Sequence, residues 1–252
     1  MKEGVRDQPR ISFDRVAHRY DETRAIPASQ MEAVLEPLVQ ALVPSDRILE
    51  IGVGTGRFGV PLQTRGVLLI GVDISRRMVA RGREKGLQDV IFADALALPF
   101  RDQTFDSGLS IHVLHLLPDW RAALRELGRV VRESYFTVAT QWTNDRSPFR
   151  VYRDHLKQAG FERRRPGVFE RDLPDRLPPQ EEVLIGSFVE DRNSAEHIDR
   201  LEQRVYSGLW DAPDALHEEA VEAARRAFPD ETFRVEKTIR LLRWDAEVLR
   251  GL

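Results

Sequence analysis

Glu50, Gly52, Gly54 and Gly56 stand at alternate positions in the run ILEIGVGTGRFG (48–59), an acid followed by three glycines. Glycines at that spacing let a backbone approach the amino-acid moiety of a ligand closely. The same run also contains Gly54-x-Gly56-x-x-Gly59, a dinucleotide fingerprint. In that second register the first strand runs to Val53 and buries Glu50 and Gly52 inside a parallel sheet. An unpaired carboxylate there costs several kcal/mol, and glycine weakens a strand interior. In the first register the strand stops at Ile51. Glu50 then sits near its carboxyl end, where ligand crevices of open sheets form and where it can be paired or hydrated. The residues favour the first.

Two further acids close apolar runs. Asp73 ends VLLIGVD, and a carboxylate at that place can accept hydrogen bonds from both hydroxyls of a ribose, in either register. Asp94 precedes ALALPF (95–100) and can take the exocyclic amine of an adenine, or simply cap its loop. Beyond the fourth expected strand, SIHVLHLLPDW supplies His112 and His115, which could act as a base or merely line the loop, histidine being the side chain that ordinarily titrates near physiological pH. Tyr20 could cover a reacting group, and Trp142, Tyr206 and Trp210 could wall a substrate; packing is the plainer role for each aromatic. Other chemistries lack their residues. Gly108-x-Ser110-x-His112 misses the last glycine of a hydrolase elbow, and the two histidines lack the H-E-x-x-H pattern, so no metal site is expected.

These residues need elements to hold them. Strands are expected at 47–51, 67–72, 89–93, 106–111 and 135–139. Helices are expected at 57–63, at 76–85 with Ser75 as its cap and Gly86 as its stop, and after Pro118, where Trp120, Leu124, Leu127 and Val131 share a face. Strand and helix alternate, which predicts a doubly wound α/β fold with a parallel sheet. An apolar-faced helix precedes it at 27–43. Past Gln141 the pattern loosens into helices near 150–159, 195–208 and 214–228, with the Pro-rich LPDRLPPQ at 173–180 between them. The segment 233–244 alternates as a strand that returns to the sheet.

Composition sets the outer limits. The chain has 252 residues, 38 basic and 41 acidic side chains and a net charge of −3, which provides no general attraction to nucleic acid or acidic lipid. Arg163, Arg164 and Arg165 read as a solvated loop. Cysteine is absent, so there is no disulfide framework and no thiolate chemistry. The polar start, MKEGVRDQPR, and the lack of a long apolar run predict a soluble, cytoplasmic protein with no membrane span.

Taken together, ILEIGVGTGRFG, LIGVDIS, DALALPFRDQTFD and the helix after HLLPDW resemble the class I S-adenosylmethionine-dependent methyltransferases, most of all the small-molecule branch that includes ubiquinone/menaquinone-biosynthesis enzymes. FDRVAHRYDETR (13–24) is similar to that branch as well, where a Tyr-Asp segment folds over the cofactor. The resemblance covers about residues 10–140. It implies a Rossmann-like seven-stranded sheet with the last strand antiparallel, S-adenosylmethionine as cofactor and a small-molecule methyl acceptor. It further implies that Gly52, Gly54 and Gly56 line the methionine part, with Glu50 anchoring the loop, and that Asp73 holds the ribose. Ile74 and Met78 would then pack the adenine, Asp94 and Ala95 would read its edge, and the backbone at Ser110 and Ile111 would face the methionine end. His112 and Tyr20 are the catalytic candidates. The expected division is an amino-terminal cap segment and helix (1–44), the cofactor-binding core (45–160), a helical insertion or cap (161–230) over the methyl-donor end, and a closing strand (231–252). An NAD-dependent oxidoreductase using Gly54, Gly56 and Gly59, and a non-catalytic cofactor-binding protein, remain the alternative classes. The acceptor atom and the oligomeric state stay open.

Overall fold

In a computed structural model the strand expected at 47–51 is β1 (Ile48–Ile51), buried on both faces and ending at Ile51. The structure describes residues 13–24, 26–45, 47–143, 146–161, 166–229 and 232–252. The arginine run 163–165 and the start of the chain fall outside them. β1 pairs in parallel with β2 (Leu69–Asp73) on one side and β4 (Phe105–Ser110) on the other, so Glu50 lies between Gly71 and Leu109. β3 (Val90–Phe92) extends the β2 side, and β5 (Val131–Trp142) extends the β4 side. With β6 (Glu181–Asn193) and β7 (Thr232–Asp245) the seven strands run in the order β3-β2-β1-β4-β5-β7-β6, β7 antiparallel. The order reverses between β2 and β4 around β1, which is where such sheets open a crevice at their carboxyl ends.

The helices follow their sequence signals. After a single turn, α1 (Tyr20–Thr23), comes α2 (Ala28–Leu42), which buries Val34, Leu35, Leu38 and Leu42. α3 (Gly59–Thr64) follows the glycine loop, and in α4 (Arg76–Glu84) the Ser75 hydroxyl accepts a hydrogen bond from Met78 N at 3.2 Å. α5 (Trp120–Val130) is capped by Asp119, which accepts from Ala122 N at 2.9 Å, and buries Trp120, Leu124 and Leu127 on the face their spacing predicts. The later helices are α6 (Pro148–Gln158), α7 (Ser194–Glu202), α8 (Asp214–Ala227) and α9 (Ala246–Arg250).

Residues divide into two compact units. The first comprises 1–140, 166–186 and 239–252, and its core joins Leu49, Ile51, Phe105, Leu124, Leu127 and Tyr135 to Trp244. The Tyr135 and Trp244 rings stack at 5.4 Å, and the Trp244 indole N–H donates to Leu177 O at 3.0 Å. The second comprises 141–165 and 187–238, with its own core of Tyr152, Leu156, Ile198, Leu201, Val221 and Phe228. There the Tyr152 hydroxyl and His217 Nδ1 are 2.7 Å apart. Trp142, Tyr206 and Trp210 belong to this unit, where Tyr206 meets Phe149 edge-on and the Trp210 indole N–H donates to Arg204 O.

One strand has no counterpart in the sequence analysis. β6 occupies part of the stretch read as helical, and its residues are exposed or half-buried along the whole length. A strand at a sheet edge, with charges at both ends, shows no apolar alternation to read.

Candidate active site

A cavity opens at the carboxyl ends of β1, β2 and β4. Of the residues singled out in the sequence it is lined by Tyr20, Glu50, Gly52, Gly54, Asp73, Ile74, Met78, Asp94, Ala95, Ile111 and His112. Gly56 and Ser110 lie outside the lining. Gly56 donates its N–H to Val53 O at 3.0 Å inside the loop. Ser110 is fully buried; its hydroxyl meets Tyr135 Oη at 2.7 Å, and its carbonyl accepts from the Thr137 hydroxyl at 2.6 Å.

Asp73 ties the glycine loop to α4. One carboxylate oxygen accepts from Gly54 N at 2.9 Å and the other from Ser75 N at 2.7 Å. Burial raises its pKa and these backbone bonds work against that rise. Gly52 is the position where only glycine fits: its φ is +70°, and a Cβ would overlap the Val113 side chain. Gly52→Ala is expected to cost about 2 kcal/mol or more, the scale of left-handed strain plus overlap. In a chain of this size that is roughly 4–8 °C in melting temperature. A variant melting within a degree of the parent would mean that the loop relaxes freely.

Glu50 departs from expectation. The sequence predicts a paired or hydrated carboxylate, yet Glu50 is 3% exposed and its Oε2 has no hydrogen-bond partner among the described residues. Burial, reinforced by the charge of Asp73, pushes its pKa up to about 8. A group buried this way is costly unless something pairs it. Arg57 lines the same cavity. Its guanidinium donates to Arg24 O at 3.0 Å and lies 5.0 Å from the Phe58 ring, and among the described residues no carboxylate pairs with it. Among the described residues neither has an ion-pair partner, although the charge of Arg57 partly offsets the rise at Glu50.

His112 has φ +58°, rare for a residue with a side chain, and lines the cavity beyond β4. Burial, aided by the nearby charge of Arg57, lowers its pKa to about 4, so its imidazole is neutral at physiological pH. His115 is not in the lining. It stacks on Phe169 with ring centroids 5.0 Å apart, and its Nδ1 is 3.8 Å from Glu170 Oε2.

Several contacts around the cavity carry no sequence signal. The segment 13–24 is latched by two acids. Asp14 accepts from the Ser75 hydroxyl at 2.5 Å and from Arg77 N at 3.0 Å, while Asp21 accepts from the Thr55 hydroxyl at 2.7 Å and from Lys85 Nζ at 3.0 Å. These contacts hold Phe13 and Tyr20 in the cavity wall, where Leu116, Leu117 and Pro118 add apolar surface. The Tyr-Asp pattern pointed to this segment, but not to what it grips.

Residues 49–136 match the family model described as a methyltransferase domain. A demethylmenaquinone methyltransferase of Corynebacterium urealyticum is 30% identical over 58% of this chain and 66% of its own. The chain spans about half to two-thirds of the length of the curated relatives it matches. Among solved structures, an S-adenosylmethionine-dependent methyltransferase of Thermotoga maritima aligns with 91% of this chain and 96% of its own at TM-score 0.50 and 21% identity. SpnF, a 4+2 cyclase, aligns with 92% of this chain and 93% of its own at TM-score 0.52 and 19% identity. At these identities the likeness is one of fold, and it is the Rossmann-like seven-stranded fold that the resemblance implied.

Proposed function

We propose, from the premise that residues 49–136 are a methyltransferase domain of the class I S-adenosylmethionine-dependent kind, that the chain moves a methyl group from S-adenosylmethionine to a small-molecule acceptor. The observation that carries this reading is that Glu50, whose Oε2 has no partner among the described residues, and Arg57, which pairs with no carboxylate among them, line one cavity. Together they complement an α-amino acid zwitterion, the methionine end of that cofactor: Glu50 for the ammonium, Arg57 for the carboxylate. A dinucleotide fits worse, since its pyrophosphate would meet a buried acid where it needs donors.

The remaining roles follow from chemistry and position. An ionised carboxylate has about four lone-pair sites, so Asp73 keeps acceptor capacity for ribose hydroxyls beyond its two backbone bonds. Ile74 and Met78 offer apolar surface to a base, and Asp94 with Ala95 offers an acceptor and a donor to its edge. Gly52, Gly54 and Ile111 keep the wall thin, while Gly56 and Ser110 serve from behind it. When bound, the cofactor supplies an electrophilic methyl carbon on a sulfonium, which is the hard part of the chemistry. The chain then aligns the acceptor and excludes water with Phe13, Tyr20, Leu116, Leu117 and Pro118. His112, neutral across physiological pH, accepts a hydrogen bond from an acceptor O–H or N–H and orients it for attack.

The second reading is a protein that binds the cofactor without transferring its methyl group. Calorimetry and a turnover screen separate the possibilities. S-adenosylmethionine and its demethylated product are expected to bind, and NAD is not. Methyl-labelled cofactor is expected to pass label to a small-molecule acceptor. Tight NAD binding without the other two overturns the assignment; cofactor binding without label transfer to any acceptor supports the second reading.

A further inference from the structure

Glu170 lies far along the chain from the motifs, in the first unit, and is 2% exposed. Its Oε1 accepts from Val113 N at 2.8 Å and from Leu114 N at 3.0 Å, the two amides that directly follow His112. Its neighbours grip the same loop. Phe169 stacks on His115, and Gly167 packs so closely that a Cβ there would overlap the Leu114 carbonyl. A buried acceptor shared by two consecutive amides fixes the peptide planes between them, and the adjoining residue must satisfy what remains. Here that residue is His112, in a left-handed conformation that its side chain disfavours. Such strain persists only where the surroundings over-determine it.

Resting on the methyl-transfer reading of the cavity, we propose that Glu170 is a positioning residue: its two main-chain hydrogen bonds hold the loop after β4 so that His112 stays in the cavity wall. Without them the loop relaxes and the His112 ring turns toward water. The groups around that ring are Arg57 and Arg24 from the glycine-loop side and the amino-terminal segment, His115 from its own loop, and Glu170 itself.

The His112 ring reports the outcome directly, through its titration in nitrogen-15-labelled protein, with His112→Gln to assign the signal. In the parent the ring titrates far below an ordinary histidine. Glu170→Ala removes a charge that itself favours the protonated ring, but exposure to water outweighs that loss, and the midpoint is expected to rise by about one to two pH units, toward the ordinary value near 6.5. Glu170→Gln keeps an acceptor oxygen at the same reach and is expected to leave the midpoint low. Should the alanine variant fail to fold, Glu170→Asp retains the charge but withdraws the oxygen by one methylene, and it is expected to behave as the alanine variant would. An unchanged midpoint in folded Ala or Asp variants, or equal shifts in the Gln and Ala variants, overturns the proposal. The titration needs no cofactor, so failure of S-adenosylmethionine to bind the parent protein counts against the function and not against this role.

Discussion

Glu50→Gln is expected to raise the melting temperature of the ligand-free protein at pH 8 and to leave it unchanged near pH 4. The carboxyl titrates near the ordinary 4.5 when the chain is unfolded and at about 8 when it is folded. Between those values the folded state keeps a proton that the unfolded state gives up, so the parent loses stability as pH rises through the window. Below 4.5 both states are protonated and glutamine changes little. Above 8 the whole penalty is present, on the order of 3–5 kcal/mol, or roughly 6–20 °C for a chain of this length. Affinity for S-adenosylmethionine moves the other way, falling about ten- to hundredfold with the loss of a charged partner. Melting curves that run parallel from pH 4 to pH 8.5 would show that Glu50 is not held neutral by its surroundings. A residue whose removal stabilises the protein while weakening its ligand is the signature of a site maintained at the expense of the fold.

The second large effect belongs to Asp73. Asp73→Ala is expected to weaken cofactor binding by roughly 2–4 kcal/mol, which is about 30- to 1000-fold. Two losses combine: on the proposed reading the ribose loses an acceptor, and Gly54 N and Ser75 N lose the bonds that join the glycine loop to α4. Asp73→Asn keeps one oxygen and should fall between the variant and the parent. Calorimetry with the demethylated product decides it. An unaltered dissociation constant in a folded alanine variant would place the ribose elsewhere.

Legibility in the sequence followed burial. β2 was readable because a strand covered in a parallel sheet is a continuous apolar run, and α5 because its buried face repeats at helical spacing. The register was chosen on the cost of an acid inside a strand; β1 does end at Ile51, but Glu50 lies within it, buried and with no partner for its Oε2 among the described residues, so the cost is present in this register too. β6 escaped because an edge strand owes its place to backbone hydrogen bonds rather than to side chains. The same reasoning explains the site. Asp73, Asp94 and His112 follow strand ends and were found by position, whereas Glu170 and Asp14 act on backbone amides 57 and 63 residues away in sequence. No local pattern encodes a partner at that distance.

The strand order carries a consequence for how the chain reaches its final form. Residues 48–110 supply four adjacent strands from one contiguous stretch, so the cofactor half can assemble from contacts that are short in sequence. The opposite edge cannot. β6 is made before β7 yet sits outside it, and β7 must enter between β5 and β6 after α7 and α8 have been made. Until Thr232–Asp245 is in place, β6 has no neighbour to pair with, and the Tyr135 ring lacks the Trp244 that stacks on it. Refolding should therefore be biphasic: an early phase that restores nucleotide binding, then a slower one that restores the tryptophan signal of Trp244.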